Sequence, residues 1–402
     1  MHREDKGRGL RTRSIHAGER PDPVTKASAP NIVMSTTFAV EDASGGFSAL
    51  EMADKDAFVY TRWANPTVRQ LEEKLASLEN AEACVAFGSG MAAAAALFFR
   101  LLSAGDRLVI SDVAYAGVAE LVRDTLTRLR IEVVPVDSSD LDELRGAVRA
   151  RRTRLVYVET PANPILRLTD IAGAARIAHE AGAELAVDST FATPVATRPI
   201  DLGADYVVHS LTKYIGGHGD AVGGAVLGRA EPLADLRQDT AIHLGGVLSP
   251  FNAWLIMRGM ATLPLRMAAH ADGAMRVARF LQDHPKVMSV CYPGLPSHPQ
   301  YDLARRQMAN FAGMLTFRTA EPLRVAQQLA DRLRIIHYAV SLGHHRSLIY
   351  YLATDELQKS SFRLDAEHLA RYRKAAGEGI FRLSVGLEDP EDLCADLDQA
   401  LA

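Results

Sequence analysis

Two residues, Asp188 and Lys213, are placed where chemistry is done. Glu184–Asp188 reads as a buried strand finishing in a carboxylate, and Tyr206–His209 as a strand running into Ser210, Leu211, Thr212 and Lys213. Ligands of open α/β sheets bind beyond such strand ends. A lysine and an aspartate delivered there suit a pyridine-aldehyde cofactor. The amine forms an imine with the aldehyde, and the carboxylate keeps the ring nitrogen protonated so that the ring accepts electrons. An ordinary salt bridge would explain the same spacing.

Phe87-Gly88-Ser89-Gly90-Met91 lies between an expected strand and an expected helix. Its glycines permit a tight turn, and the free N–H groups of the helix start would face an anion such as a phosphate. The run lacks the later glycines of a dinucleotide fingerprint and the Gly-Lys-Ser/Thr ending of a P-loop. Ser210 and Thr212 could add hydroxyl donors to the same phosphate. Gly216, Gly217, Gly219, Gly223 and Gly224 follow the lysine closely, as expected where backbone passes near a ligand or forms a mobile loop.

The elements that must position these residues can be read from periodicity. Strands are expected at Ala83–Phe87, Arg107–Ser111, Ile131–Pro135, Leu155–Glu159, Glu184–Asp188, Tyr206–His209 and Val222–Leu227. Helical stretches are expected at Met91–Leu102, Gly117–Leu129, Leu141–Ala150 and Asp170–Ala181, after a first helix starting at Asn65-Pro66-Thr67. This alternation predicts an α/β fold with a mostly parallel central sheet covered on both faces. From about Pro250 a long helical region, Phe251–Asp283, gives way to strands at Val287–Cys291, Gly313–Phe317, Ile335–Ser341 and Phe381–Gly386 and a last helix, Glu391–Ala402. That is the pattern of a smaller C-terminal α+β domain. The expected division is an irregular N-terminal arm, 1–63, carrying Gly45-Gly46; a large domain, 64–255; and the smaller domain, 256–402.

The chain of 402 residues is 48% apolar, with 45 basic and 49 acidic residues and a net charge of -4. That balance gives no reason for a nucleic-acid partner. The apolar stretch Met91–Leu102 is too short to cross a bilayer, and the polar first residues carry no secretory signal. A cytoplasmic protein with no membrane association is expected. Cys84, Cys291 and Cys394, odd in number and without metal-site spacing, fit buried thiols in a reducing compartment. No metal is expected; the adjacent His344 and His345 lack a third ligand.

Several separated motifs, in order, resemble the γ-family of pyridoxal-phosphate enzymes of cysteine and methionine metabolism, closest in character to methionine γ-lyase and cystathionine γ-lyase. They are Thr12–Gly18, Tyr60-Thr61-Arg62 with Asn65-Pro66-Thr67, Gly88–Ala92, Glu159-Thr160-Pro161-Ala162-Asn163-Pro164, Asp188-Ser189-Thr190, Ser210–Tyr214, Ser341-Leu342-Gly343 and Arg382–Asp389. The resemblance covers nearly the whole chain. It implies a fold type I transferase architecture, with pyridoxal 5'-phosphate as cofactor and Lys213 as the Schiff-base lysine and proton shuttle. It also implies Asp188 at the pyridine nitrogen, and Ser89, Gly90, Met91, Ser210 and Thr212 around the phosphate. Tyr60 and Arg62 would reach the phosphate of a neighbouring subunit in a homodimer, with dimers pairing into a tetramer; Tyr60 would also face substrate. Tyr115 would stack on the ring and assist proton transfer, and Asn163 would sit near the ring hydroxyl and the substrate. Ser341 and Arg382 would bind substrate, Arg382 as a bidentate clamp on the α-carboxylate.

The substrate expected is a sulfur-containing or γ-substituted amino acid. Elimination to 2-oxobutanoate, ammonia and a thiol leads, with γ-replacement on O-acetyl- or O-succinylhomoserine as the alternative. Val340, where cystathionine-handling members tend to carry glutamate, favours a shorter or apolar substituent and lines the substrate. Gly117 stands where typical methionine γ-lyases carry cysteine, and Phe58 where cystathionine γ-synthases often have an acidic residue. His344, His345 and Arg346 could recognise an anionic substrate tail or line a wet rim. The Tyr338, Tyr350 and Tyr351 cluster reads as core or rim.

Overall fold

The computed structural model describes residues 7–39 and 58–402. Gly45-Gly46 and the rest of 40–57, with residues 1–6 of the expected arm, lie outside the described residues. Twelve strands occur among those described: β1 (Ala83–Phe87), β2 (Arg107–Ser111), β3 (Glu132–Val136), β4 (Leu155–Glu159), β5 (Glu184–Asp188), β6 (Tyr206–Ser210), β7 (Gly224–Gly228), β8 (Val287–Cys291), β9 (Met314–Thr319), β10 (His337–Tyr338), β11 (Leu348–Ala353) and β12 (Gly379–Ser384). By backbone contacts the chain groups into two units. One holds the residues up to Leu102 with Arg198–Pro264, the other Ser103–Thr197 with Leu265–Ala402. This grouping cuts across the 64–255 segment that the sequence pattern treats as one piece.

In the first unit β7 pairs antiparallel with β1 on one side and with β6 on the other, so that Gly224 stands opposite both Phe87 and Ser210. The helix Pro66–Glu79 forms where the sequence places it. Asn65 caps it, its side chain accepting the N–H groups of Thr67 and Val68, and Pro66 fills the first turn, where a missing N–H costs nothing. It ends at Asn80, in the left-handed region at φ 58°. Glu79, its last residue, and His209 on β6 are both fully buried and meet at 2.6 Å, tying that strand to the helix. Helix Gly90–Leu101 follows β1 directly, with Ser89 as its cap.

In the second unit β5, β4, β2 and β3 lie in that order, all parallel. Every residue of β2 and β4 is buried, which explains why residues 108–110 and 155–158 are unbroken runs of large, mostly apolar side chains rather than alternations. Helices Leu141–Ala150 and Ile171–Glu180 connect these strands, each capped by an aspartate, Asp140 and Asp170. The same unit carries a second sheet, ordered β10-β11-β12-β9-β8 and antiparallel except between β10 and β11. Its core includes Leu281, Phe317, Phe381 and Leu397, with the Phe317 and Phe381 rings stacked at 5.0 Å.

The structure corrects several expectations. Within the supposedly irregular arm, Leu10–His16 is a helix. The long region Phe251–Asp283 is two helices, Pro250–Met260 and Leu263–Asp283. Pro264 cannot donate an N–H to a continuing helix, so the break falls just before it. Gly117–Leu129 is regular only over Ala116–Glu120 and widens to a π-helical segment at Leu121–Leu126. The strand expected at Ile335–Ser341 shrinks to His337–Tyr338, because the Asp396 carboxylate takes the N–H groups of Arg334, Ile335 and Ile336, each at 2.9 Å. β11 and the helices Tyr301–Gln307, Pro322–Arg332 and Ala366–Ala376 were not anticipated. Tyr338 and Tyr350 pack ring to ring at 5.3 Å.

Candidate active site

The candidate residues fall into two groups, one in each unit. In the first, Ser89 Oγ accepts the Ala92 N–H at 3.0 Å, which leaves the N–H groups of Gly90 and Met91 at the open end of the helix. Helix starts of this kind favour anions through both these donors and the helix dipole. Backbone crowding shapes the cup. A Cβ on Gly90 would stand 2.9 Å from the Ser210 Cβ, and one on Gly224 would stand 2.1 Å from the Ser89 carbonyl oxygen. Only glycine lets Ser89, Gly90 and Ser210 converge here.

Lys213 sits three residues beyond β6 in a turn where its carbonyl accepts the Gly217 N–H at 2.7 Å; it is half-buried. Thr212 Oγ1 engages the backbone of Gly223, accepting its N–H at 3.1 Å and lying 3.3 Å from its carbonyl. The glycines after Lys213 serve close packing. A Cβ on Gly259 would meet the Gly216 carbonyl oxygen at 2.1 Å, so helix Pro250–Met260 rests directly on that turn. Tyr60 and Arg62 form a further part: the Arg62 guanidinium lies 5.6 Å from the Tyr60 ring centre and donates to the Ile242 carbonyl. Both side chains are exposed.

In the second unit Asp188 ends β5 and accepts a hydrogen bond from the Tyr157 hydroxyl at 3.3 Å. Its register partner is Glu159, the buried last residue of β4. One Glu159 carboxyl oxygen accepts the Tyr115 N–H at 2.7 Å and the other the Asn163 N–H at 2.7 Å. Burial first, then the negative charge of Asp188, raises the Glu159 carboxyl to about 8, against the pull of the two N–H groups and Arg382. Tyr157 rises too, from burial and then the charges of Asp188 and Glu159. The Tyr115 side chain is 48% exposed, free to lie against a ligand.

Arg382, on β12 and only 9% exposed, donates to Asn163 Oδ1 at 2.8 Å and to the Ser341 carbonyl at 3.2 Å. Ser341 holds φ 89°, an uncommon conformation for a residue with a side chain, and its hydroxyl lies 3.3 Å from His344 Nε2. Val340 is exposed, as is Arg346, while the His345 carbonyl accepts the Leu387 N–H at 2.8 Å. The structure thus brings Tyr115, Asn163, Ser341 and Arg382 into one hydrogen-bonded chain through Glu159. Glu159 opens the Glu159–Pro164 motif, which by itself assigns it no role. A carboxylate ending a fully apolar strand was the available signal. Among the described residues no group of three or more His, Cys, Asp or Glu is placed to hold a metal, and no helix is long and apolar enough to cross a membrane.

Each unit by itself holds groups of the kind that pyridoxal 5'-phosphate requires: the first an anion cup only glycine can form and a lysine in a turn beyond a strand end, the second a carboxylate ending a strand. Together with the sheets described above, they define a fold type I pyridoxal-phosphate-dependent enzyme, a larger mixed sheet accompanied by a smaller C-terminal α+β domain. The family model for Cys/Met metabolism PLP-dependent enzymes matches residues 11–402, and the chain belongs to that family. It is 43% identical to the cystathionine gamma-synthase of Mycobacterium tuberculosis over 98% of this chain and 97% of that one. It is 42% identical to the L-methionine gamma-lyase of Pseudomonas deceptionensis over 100% of this chain and 99% of the relative. The crystal structure of metB from Corynebacterium glutamicum superposes with a TM-score of 0.89 at 37% identity, covering 99% of this chain and 98% of that one. The protein is therefore an enzyme that uses pyridoxal 5'-phosphate, in a family whose γ-chemistry acts on sulfur amino acids.

Proposed function

We propose that the enzyme catalyses γ-replacement on an O-acyl-L-homoserine, O-acetyl or O-succinyl, with a thiol as the incoming nucleophile. The observation that carries this reading is the likeness, along essentially the whole chain, to a cystathionine gamma-synthase and to metB. It reverses the order of the two expectations drawn from the sequence, where γ-elimination led. Elimination stands as the second reading, supported by the exposed Val340 and by the likeness to a methionine gamma-lyase.

Pyridoxal phosphate, when bound, supplies an electron sink that makes protons on Cα and Cβ of the amino acid removable. The protein's part is binding, orientation and proton transfer. Lys213 Nζ would hold the cofactor until substrate arrives, and would then take the Cα proton and later return one. Asp188 keeps a proton on the ring nitrogen. The N–H groups of Gly90 and Met91, with Ser89, Ser210 and Thr212, hold the phosphate, joined by Tyr60 and Arg62 from a neighbouring protomer of a homodimer, itself half of a tetramer. Tyr115 would stack on the ring and assist proton transfer, and Asn163 would meet the ring hydroxyl. Arg382 grips the substrate carboxylate beside Ser341, while Tyr60 and Val340 border its side chain. In replacement the acyloxy group would leave Cγ with the electrons of the C–O bond once protons have been taken from Cα and Cβ; the thiol sulfur would then form the C–S bond at Cγ, protons would return to Cβ and Cα, and the thiol proton would be released with the departing acid. The division into arm 1–63, large domain 64–255 and smaller domain 256–402, in a cytoplasmic enzyme, accompanies this reading.

The test is a time course with cofactor-loaded protein on O-acetyl- and O-succinyl-L-homoserine, L-cystathionine, L-homocysteine and L-methionine, each with and without L-cysteine. Thioether formation from an O-acyl-homoserine, faster than 2-oxobutanoate release without thiol, is expected. Rapid 2-oxobutanoate release from a sulfur amino acid without thiol, together with negligible thioether formation, overturns replacement in favour of elimination.

A further inference from the structure

Glu159 is a buried carboxyl that the reaction above leaves unused. It ends β4, with every residue before it in the strand buried, and is itself 4% exposed. A carboxyl at such a site is costly unless its oxygens are satisfied. Here each oxygen has one specific donor. Oε2 takes the N–H of Tyr115, 44 residues earlier and next to the helix Ala116–Glu120, and Oε1 takes the N–H of Asn163, four residues later. A glutamine would offer one acceptor and turn an amide NH₂ toward the other N–H. Only a carboxyl receives both.

The charged and titratable groups around it come from several elements. Asp188 faces it across the register of β4 and β5, Tyr157 lies on its own strand, and Arg382 acts from β12. Arg382 also binds Asn163 Oδ1, so Asn163 is held at its backbone by Glu159 and at its side chain by Arg382. Burial beside Asp188 makes the charged form of Glu159 expensive, its carboxyl rising to about 8.

We propose that Glu159 is a positioning residue, a two-armed clamp that fixes the backbone at Tyr115 and Asn163 and so sets the placement of the Tyr115 ring and the Asn163 amide against cofactor and substrate. This rests on the reading above that Tyr115 and Asn163 face the cofactor. The clamp itself does not touch the reacting atoms. Its loss therefore acts on geometry, and misplacing a catalytic group by a fraction of its contact distance is felt mainly in kcat.

The experiment compares holoenzyme of wild type, Glu159→Gln and Glu159→Asp in kcat and KM for the O-acyl-homoserine reaction and in the visible circular dichroism of the bound cofactor. A further readout is hydrogen exchange at the Tyr115 and Asn163 amides of the cofactor-free protein. Glu159→Gln is expected to retain cofactor, to lose about tenfold to a hundredfold in kcat with little change in KM, to alter the dichroic band, and to exchange those two amides faster than their neighbours. Aspartate, one methylene shorter, reaches at most one of the two N–H groups and shows the same direction of change. Wild-type kcat together with a wild-type dichroic band in the glutamine variant overturns the proposal. If that variant does not fold, the same result in the aspartate variant overturns it. Failure of the proposed function looks different: wild type then forms no thioether, while the amide-exchange contrast at Tyr115 and Asn163 still reads the clamp directly.

Discussion

Nη1 of Arg382 lies 2.8 Å from Oδ1 of Asn163, linking β12 to the loop that follows β4. The second guanidinium arm reaches the Ser341 carbonyl at 3.2 Å. The arginine is thus fixed in a plane by two protein acceptors before any substrate arrives, and the planar fork is what allows it to meet a carboxylate as well.

Replacing it with lysine keeps the charge and loses the fork. A single ammonium cannot satisfy Asn163, Ser341 and a substrate carboxylate in their present geometry. Arg382→Lys is expected to raise KM for the amino-acid substrate by about tenfold or more, the scale of a lost charge-assisted hydrogen bond. Cofactor retention should be unchanged. Steady-state kinetics beside a cofactor titration checks it; a variant with wild-type KM would deny Arg382 the carboxylate.

The cup around Gly90 makes a second prediction. A Cβ on Gly224 would stand 2.1 Å from the Ser89 carbonyl oxygen and 2.7 Å from the Gly90 Cα, and its neighbours there are backbone and cannot swing aside. Gly224→Ala is expected to push the helix start off β7, destabilising the protein by about 1–3 kcal/mol and weakening cofactor binding. Gly146, inside helix Leu141–Ala150, has open space where a Cβ would go. Gly146→Ala should therefore stabilise slightly, by about 0.5–1 kcal/mol, and leave cofactor affinity alone. Thermal melts and cofactor titrations of the two variants separate crowding at the cup from a general effect of alanine.

The contrast between these two glycines shows where sequence was informative. β1, β2, β4 and β5 have the bounds expected of them because runs such as Leu155–Glu159 are buried on both faces, so composition alone marks them. The glycine run after Lys213 was legible as close approach, but not what approaches: in the structure it is other backbone, at Ser89 and Leu211. Ile335–Ser341 has the composition of a strand, yet Asp396, some sixty residues away in sequence, claims the N–H groups a ladder would need. Glu159 escaped notice for the same reason. Its partner Tyr115 is distant in sequence, and no spacing rule links a strand end to an N–H 44 residues earlier. Motif order recovered the family, whereas the choice between replacement and elimination depends on substituent contacts that the shared residues do not encode.

The third prediction concerns acid stability and rests on His270. This residue is fully buried in helix Leu263–Asp283, its Nδ1 2.8 Å from the Val385 carbonyl and 3.1 Å from that of Gly386. Burial first, then the positive charges of Arg266 and His345, lowers its pKa from 6.5 to about 4, although the two carbonyls favour the protonated form. Arg266 is itself nearly buried, and desolvation lowers it to about 10, so it stays charged throughout the acid range. The unfolded chain takes up a proton at His270 once the pH drops through the ordinary histidine value, whereas the folded protein resists until about 4. Between those values the unfolded state binds more protons, so the contribution of neutral His270 is present above 6.5 and is lost as the pH falls toward 4. His270→Gln cannot titrate and is expected to be less stable than wild type at neutral pH, having lost the ring and its packing. The gap should narrow steadily as the pH drops through this window. Melting temperatures of both proteins across that range read the difference directly, and a gap that stays constant would mean that the ring remains neutral in the unfolded chain too or is protonated in both states.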